Sequence, residues 1–571
     1  MAKFAMAKGA PPATQAQAAP SDVTVNRAGG EAFVINDPSL RMLTMLGSSF
    51  FNEPNYYSKP ADGEADAALG LTSEAANIIA TAKEIARGDN PRDLLALALW
   101  ARSEMNIRTT PQVLLAIAAS EPKTKPFVRQ YARKIVQRAD EVRQVFAAYM
   151  ALFSGGIGAN KRNQKLPNSL KRGLADAIGK FSEAQLMKYD SAERPTFKDV
   201  LRMIDRRKDF GLPQPVYKYL ISGEVMDAAA TPVIAARKAL AKKTEFDDEA
   251  RALIAASHAN WEVVLSQFGG SNKAVWESVL PQLGYMALLR NLRNLLTVGV
   301  DPAPLAERIS DPREVARSKQ LPSRFYSAFK MLNDAGLLKG KNSVVGSALE
   351  TALVHAASAL ARLPGTTVIA SDNSGSMSSP VSAKSIVTHR AAANLMAAIA
   401  QRISDDAHLI VFGESARIVP ASVSDSIMTV MNRQASTNVG HATNTHKVLD
   451  LMIESKIKAD RLIIFSDMQC YNSSTSGDSF AGAVARYRAK VNANLVVHSV
   501  DLAGYGTASL STSDARVNLV SGFSEKILRT VGEFERGLET VVPPSPAGAS
   551  AAPTVEGARV NATIDDIRAR F

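Results

Sequence analysis

The chain has 571 residues, 46% hydrophobic and 21% charged, with a formal net charge of +12, which is length enough for two or more domains with large cores. A single cysteine, Cys470, excludes a disulfide framework and any cysteine-built zinc or iron–sulfur centre within one chain, and the seven histidines form no HExxH pair. The positive balance suits an anionic partner such as nucleic acid.

Residues 1–24 are rich in Ala, Pro and Gln and lack the apolar stretch of a signal peptide, so a disordered leader is expected. No run approaches ~20 consecutive apolar residues, so no membrane span is expected and a cytoplasmic protein is the simplest reading.

From about residue 70 to 362 the pattern is helical. Segments such as "SEAANIIATAKEIARG", "RDLLALALWARSEM", "TPQVLLAIAAS" and "VRQYARKIVQRADEVRQVFAAYMALF" repeat apolar residues three and four apart, with Gly, Pro and Asp at the joins. Thr109 or Thr110 before Pro111 predicts an N-cap followed by proline at the first helical position. Many short helices without strands between them predict an α-solenoid of stacked, HEAT-like helix pairs over residues 25–363.

Basic residues recur along this run. Arg129 and Arg133 are four apart, as are Lys134 and Arg138. Lys161, Arg162, Lys165, Lys171 and Arg172 follow within one stretch that holds no acidic residue, and then come Lys198, Arg202, Arg206, Arg207 and Lys208. In "MALLRNLRNLL" an apolar stripe of Leu288, Leu289, Leu292, Leu295 and Leu296 leaves Arg290 and Arg293 on another face. Such faces could line a path for phosphates; taken one at a time, each arginine reads first as solvated helix surface with salt bridges.

At residue 364 the pattern changes. Short β-branched runs, "TTVIAS", "AHLIVFG", "RLIIFSD" and "NLVVHSVD", alternate with helical ones, which predicts a doubly wound α/β domain over 364–541. Residues 542–571 read as a Pro/Ala-rich linker and tail with one short helix, "ATIDDIRARF".

The first strand of that domain ends in Asp372, with Ser374 and Ser376 on alternate positions after it. Ligands of open α/β sheets gather at the carboxyl ends of the strands. A turn accounts for these residue types, and so does a nucleophile or a cation site. Asp467 ends "RLIIFSD" at the same edge, and the loop "VGHATNTHKV" offers Thr443. Two carboxylates and three hydroxyls, with no basic partner evident in these motifs, suit a hard cation such as Mg²⁺. His441 and His446 are near in sequence, but there is no GxSxG elbow and no evident triad, so a serine hydrolase is disfavoured.

Asp372-x-Ser374-x-Ser376 with the threonine loop and the later aspartate resembles the metal-ion-dependent adhesion site of von Willebrand factor A domains. That likeness implies direct cation contacts from Ser374, Ser376 and Thr443, and contacts largely through water from Asp372 and Asp467. A partner's acidic oxygen would complete the shell. A helical module followed by such a domain resembles the Ro ribonucleoprotein family, in which a TROVE ring is closed by an A domain. The segments "VNRAGGEAFVINDPSLRMLTMLGSSFFNEPNYY", "KLPNSLKRGLADAIGKF", "PTFKDVLRMID" and "GYMALLRNLRNLL" carry the likeness. It implies a non-enzymatic, RNA-binding protein, one copy per ribonucleoprotein. A small Y-like RNA would lie on the basic outer surface, and single-stranded 3′ ends of misfolded RNA would enter the ring hole. Bacterial members imply a tether to a 3′→5′ exoribonuclease such as polynucleotide phosphorylase. One departure is Phe197, where the vertebrate pattern has a histidine; it would stack on a base or pack the core. The reading from another class is a metal-dependent protein-interaction scaffold that works through the A domain.

Overall fold

The computed structural model describes residues 23–25, 31–33, 37–48, 65–66, 71–154, 165–204, 211–381, 385–468, 479–503, 509–511, 514, 516–521, 562–571 and part of 527–538. Two antiparallel ribbons, β1 (Val23–Val25) with β2 (Glu31–Phe33) and β3 (Ala65–Asp66) with β4 (Leu71–Thr72), flank α1 (Pro38–Ser48). Helices then follow one another: α2 (Ser73–Arg87), α3 (Asp93–Ser103), α4 (Thr109–Ser120), α5 (Val128–Ile135), α6 (Ala139–Phe153), α7 (Asn168–Ile178), α8 (Glu183–Met187), α9 (Phe197–Met203) and α10 (Gln214–Ser222). The second half of the module holds α11 (Pro232–Leu240), α12 (Asp248–Ala256), α13 (Trp261–Phe268), α14 (Lys273–Val279), α15 (Tyr285–Thr297), α16 (Pro302–Ser310), α17 (Pro312–Ser318), α18 (Pro322–Asp334) and α19 (Ser343–Ser358). Among the described residues no helix is long and apolar enough to cross a membrane.

The helices form for the reason their spacing predicted. In α15, Leu288, Leu289, Leu292, Leu295 and Leu296 are all buried and Arg290 and Arg293 are exposed; each buried leucine is worth about 1.5–3 kcal/mol over an exposed one. Two expectations changed. The stretch from Val128 to Phe153, which reads as continuous helix, breaks at Val136–Arg138. Glu141 causes the break: its Oε2 accepts the backbone N–H of Gln137 at 2.7 Å and of Arg138 at 3.2 Å, while Oε1 is gripped by the buried Arg102 guanidinium at 2.8 Å. Arg138 thereby stands at the cap of α6 and no longer shares a helical face with Lys134. At α4 the helix already starts at Thr109, with Arg108 at the cap; Pro111 lies within the first turn, where a missing N–H is harmless.

The A domain runs β5 (Leu363–Asp372), α20 (His389–Ile403), β6 (Ser404–Phe412), β7 (Ala416–Val419), α21 (Ile427–Ser436), α22 (His446–Glu454), β8 (Arg461–Ser466), α23 (Phe480–Lys490), β9 (Val496–Asp501) and β10 (Val517–Ser521). The sheet order is β10-β9-β8-β5-β6-β7, parallel except for the antiparallel β6–β7 pair. Successive residues of β5 serve opposite faces: Val368 and Ala370 join Leu449 and Tyr487 in one core, and Ile369 joins the core that continues through α15, α18 and α19. One face of the sheet is therefore built into the helical module. At the other margin α1 packs beside β10, so the chain closes into a ring from α1 through α19 and the sheet back to α1. The last helix, α24 (Ala562–Arg570), which reads as part of a tail, buries Ile564 and Ile567 in the core of the first helices.

The foot of the sheet is pinned by charge. Arg461, 5% exposed, forks both oxygens of Glu535 at 2.7 Å, donates to Thr367 Oγ1 at 2.8 Å and reaches the Pro364 carbonyl. His498 Nε2 lies 3.0 Å from Glu535 Oε1, and Asn518 Nδ2 lies 3.0 Å from the other ring nitrogen. Burial alone would raise the Glu535 carboxyl, but hydrogen bonds and charge from His498 and Arg461 outweigh it and draw it down to about 2.

Candidate functional site

Asp372 is the last residue of β5, and Asp467 directly follows the neighbouring strand β8. Both side chains are buried. The Asp372 carboxylate accepts the Ser374 N–H on Oδ1 at 2.8 Å and the Ser466 hydroxyl on Oδ2 at 2.6 Å. The Ser374 and Ser376 hydroxyls converge at 3.3 Å. Burial, with the Asp467 charge adding to it, pushes the Asp372 carboxyl up to about 6 against these hydrogen bonds.

The Thr443 loop is tied over this cluster, since Gly375 N–H donates to the His441 carbonyl at 3.0 Å and Asn444 N–H to the Gly413 carbonyl at 2.9 Å. Two glycines permit that approach. A Cβ on Gly413 would meet the Gly440 carbonyl at 2.9 Å, and Gly440 has φ +80° with Glu414 Cβ only 2.5 Å from where its own Cβ would be. Thr443 is buried beneath the loop. The five residues expected to form a cation site thus lie at the end of β5 and just after it, just after β8, and in the Thr443 loop, at one edge of the sheet.

Two neighbours were not legible in the motifs. Arg390, at the start of α20, donates through Nη2 to the Ser374 carbonyl at 2.9 Å and to Ser378 Oγ at 3.0 Å. His389 sets Nδ1 3.1 Å from the Ser379 carbonyl; burial holds it below its ordinary value, against that carbonyl and the Asp467 charge. Among the described residues Arg390 thus places a cation at the rim of the cluster, while the groups that hydrogen-bond Asp372, from Ser374 and Ser466, are neutral. Among the described residues no group of three or more His, Cys, Asp or Glu side chains could hold a metal ion, so any cation here would depend on the hydroxyls.

The basic residues fall into two groups. Arg129 and Arg133 on α5 face α7, which carries Lys171 and Arg172 and is preceded by Lys165. The two helices touch at Gly173, where a Cβ would lie 2.7 Å from Ala132 Cβ. Arg129 is spent on Asp176 of α7 at 2.7 Å; Arg133, Lys165 and Arg172 are exposed and Lys171 is half-buried. Lys180 donates to the Arg133 carbonyl at 2.6 Å and to the Val136 carbonyl, closing the end of α5. On α9, Lys198 is half-buried and Arg202 exposed. A capping box between Thr196 and Asp199 starts this helix, and Arg143 of α6 holds the loop before it by bonds to the carbonyls of Tyr189, Glu193 and Pro195. Phe197 is 1% exposed beneath that guanidinium, 5.5 Å from it; it packs the core and offers no face for a base. Arg290 and Arg293 belong to α15, which packs on α16, α17 and α18 and forms a separate surface. Lys161, Arg162, Arg206, Arg207 and Lys208 lie outside the described residues.

Comparison with known proteins agrees with this architecture. Residues 34–252 and 251–345 match the TROVE domain family, and residues 366–535 match the Ro60 vWA domain family. "Telomerase protein component 1" of Mus musculus is 25% identical over 350 residues, 52% of this chain and 13% of that protein. "RNA-binding protein RO60" of Deinococcus radiodurans is 25% identical over 300 residues, 50% of this chain and 56% of that protein. The chain thus spans less than two thirds of the length of these curated relatives. The crystal structure of the Deinococcus radiodurans RO (RSR) protein superposes with a TM-score of 0.63 at 20% identity, covering 88% of this chain and 100% of that one; the two share a fold.

Proposed function

The chain belongs to the Ro family, a TROVE domain followed by a Ro60-type A domain, and on that premise we propose that it is a non-catalytic RNA-binding subunit of a cytoplasmic ribonucleoprotein. The observation that carries the reading is the basic surface of α5 and α7, with α9 joined to it through α6, which packs on both α7 and α9. It presents Arg133, Lys165, Lys171, Arg172, Lys198 and Arg202 on packed helices, and of the candidates there only Arg129 is in an ion pair among the described residues. Phosphates of a small, structured Y-like RNA would lie along this face, read by shape. Single-stranded 3′ ends would enter the ring, and a 3′→5′ exoribonuclease such as polynucleotide phosphorylase would receive them. One copy of the chain serves each particle in this reading.

The sheet edge would hold a hard divalent cation such as Mg²⁺. The residues fit one: Asp372 and Asp467 are buried, repel each other and stand among hydroxyls, a donor set of oxygens alone. Ser374, Ser376 and Thr443 would contact it, and Asp372 and Asp467 would neutralise it. Bound, it would supply a Lewis-acidic position for a partner's carboxylate, with Arg390 beside it. In the rival reading, a scaffold, this site does the main work and the helices bind protein.

The deciding experiment is to purify the protein from its native cell and sequence the RNA that comes with it, with and without chelator. A discrete small RNA retained in chelator supports the proposal. Absence of RNA, together with a protein partner released by chelator, supports the scaffold instead.

A further inference from the structure

The last strand, β10, ends at Ser521, and the last described helix, α24, lies in the core of the first helices. Arg568 Nε and Nη2 each reach an oxygen of Asp93 at 2.8 Å, and the Asp93 side chain is 2% exposed. The same carboxylate accepts the Ser39 hydroxyl of α1 at 3.0 Å. From α5, Tyr131 donates to the Phe571 carbonyl at 2.7 Å. Ile564 and Ile567 are buried, and Phe571 packs against the same core. These are positions i, i+3 and i+7 of one helical face. Asp93 therefore joins three elements: α3, to which it belongs, α1 and α24.

α1 is also the helix that packs beside β10, so it forms the seam where the ring closes. We propose that the groove formed by α1, α3 and α5 is a receptor for residues 562–571 of the same chain, and that this helix is a detachable clasp holding α1 against the sheet. A nine-residue helix does not persist alone in water, so release and unfolding of α24 are one event, and the clasp has two discrete states. When it is released, Asp93 loses both its bidentate cation and the cover of α24, and the water drawn to its carboxylate competes with the Ser39 hydroxyl that ties it to α1.

The test is amide hydrogen exchange on the whole chain, on a chain ending at residue 561, and on the full-length Arg568→Glu variant. Both altered proteins should show amides of α1 and β10 exchanging at least about tenfold faster, with α15–α19 unchanged. A synthetic peptide of residues 562–571 should restore protection to the shortened chain, and the same peptide carrying Arg568→Glu should not. Unchanged protection of α1 and β10 would overturn the proposal. So would a loss that extends equally to α15–α19, a peptide without effect, or a doubled mass of the intact protein that places the helix on a second copy. The outcome is independent of RNA binding.

Discussion

Replacing Glu535 with glutamine keeps the shape of the clamp at the foot of the sheet and removes its negative charge. Arg461 would then remain buried with only neutral acceptors, the Pro364 carbonyl, Thr367 Oγ1 and the glutamine oxygen. Breaking a buried pair from one side costs about 3–5 kcal/mol. The carboxyl itself gives an independent figure: its ordinary value of 4.5 falls to about 2 in the fold, and roughly 2.5 units at 1.36 kcal/mol each is about 3 kcal/mol. The sign follows from the depressed folded value. This contribution is complete above about pH 4.5, where the unfolded carboxyl is ionised, and is lost as pH falls toward about 2. Because a ring of several domains need not unfold in one step, the measurement is hydrogen exchange of β5, β8 and β9 amides between pH 7 and about pH 3, corrected for intrinsic rates, with urea unfolding beside it. Wild type should exceed Glu535→Gln by about 3 kcal/mol at pH 7, and the gap should narrow below about pH 4.5. A gap under about 1 kcal/mol at pH 7, or one that stays constant down the acid series, would refute the reasoning.

On the α5–α7 face, replacing Lys165, Lys171 and Arg172 together with alanine should weaken binding of a structured RNA and lower the slope of log affinity against log salt by about 2–3; a slope equal to that of wild type excludes these residues from the phosphate path. Arg129→Ala alone should change that slope little, because its charge is already paired with Asp176. Gly173→Ala forces a Cβ to 2.7 Å from Ala132 Cβ and should cost about 1–3 kcal/mol, read by urea unfolding and accompanied by weaker RNA binding as the two basic rows separate. Mg²⁺ at a hundredfold excess over its dissociation constant should stabilise the A domain by about 2.7 kcal/mol, and Asp467→Asn should abolish most of that gain in calorimetry; equal gains in both proteins would place the ion elsewhere.

Much of this was readable where one residue pattern had one physical outcome. The leucine stripe of α15 and the both-sided apolar strands β5 and β8 needed only periodicity. The break between α5 and α6 did not show, because the agent is Glu141, three residues into the next helix, whose orientation depends on Arg102 from a distant turn of chain. Strands β7 and β10 escaped because "ARIV" and "VNLVS" are short and lie at the sheet margins, where half-exposed positions weaken the apolar run. The Asp-x-Ser-x-Ser motif marked its own residues but not Arg390, whose contact with the Ser374 carbonyl exists only once α20 has packed. Docking of α24 was invisible for the same reason: Ile564 and Ile567 announce an amphipathic helix but not the groove that accepts it.

The path from α19 into β5 has a mechanical consequence. Only residues 359–362 separate the helix from a strand of ten residues, about 33 Å long at ~3.3 Å per residue, hydrogen-bonded on both sides by β6 and β8. Helix and strand act as one strut, with the helical ring at its base and Asp372 at its tip. A strut of this kind carries load without changing length, so whatever docks at the sheet edge cannot push Asp372 along its own axis. Force applied there is taken up by the loops around Gly375 and Gly440, or passed along β5 and shared among β6, β8 and α19.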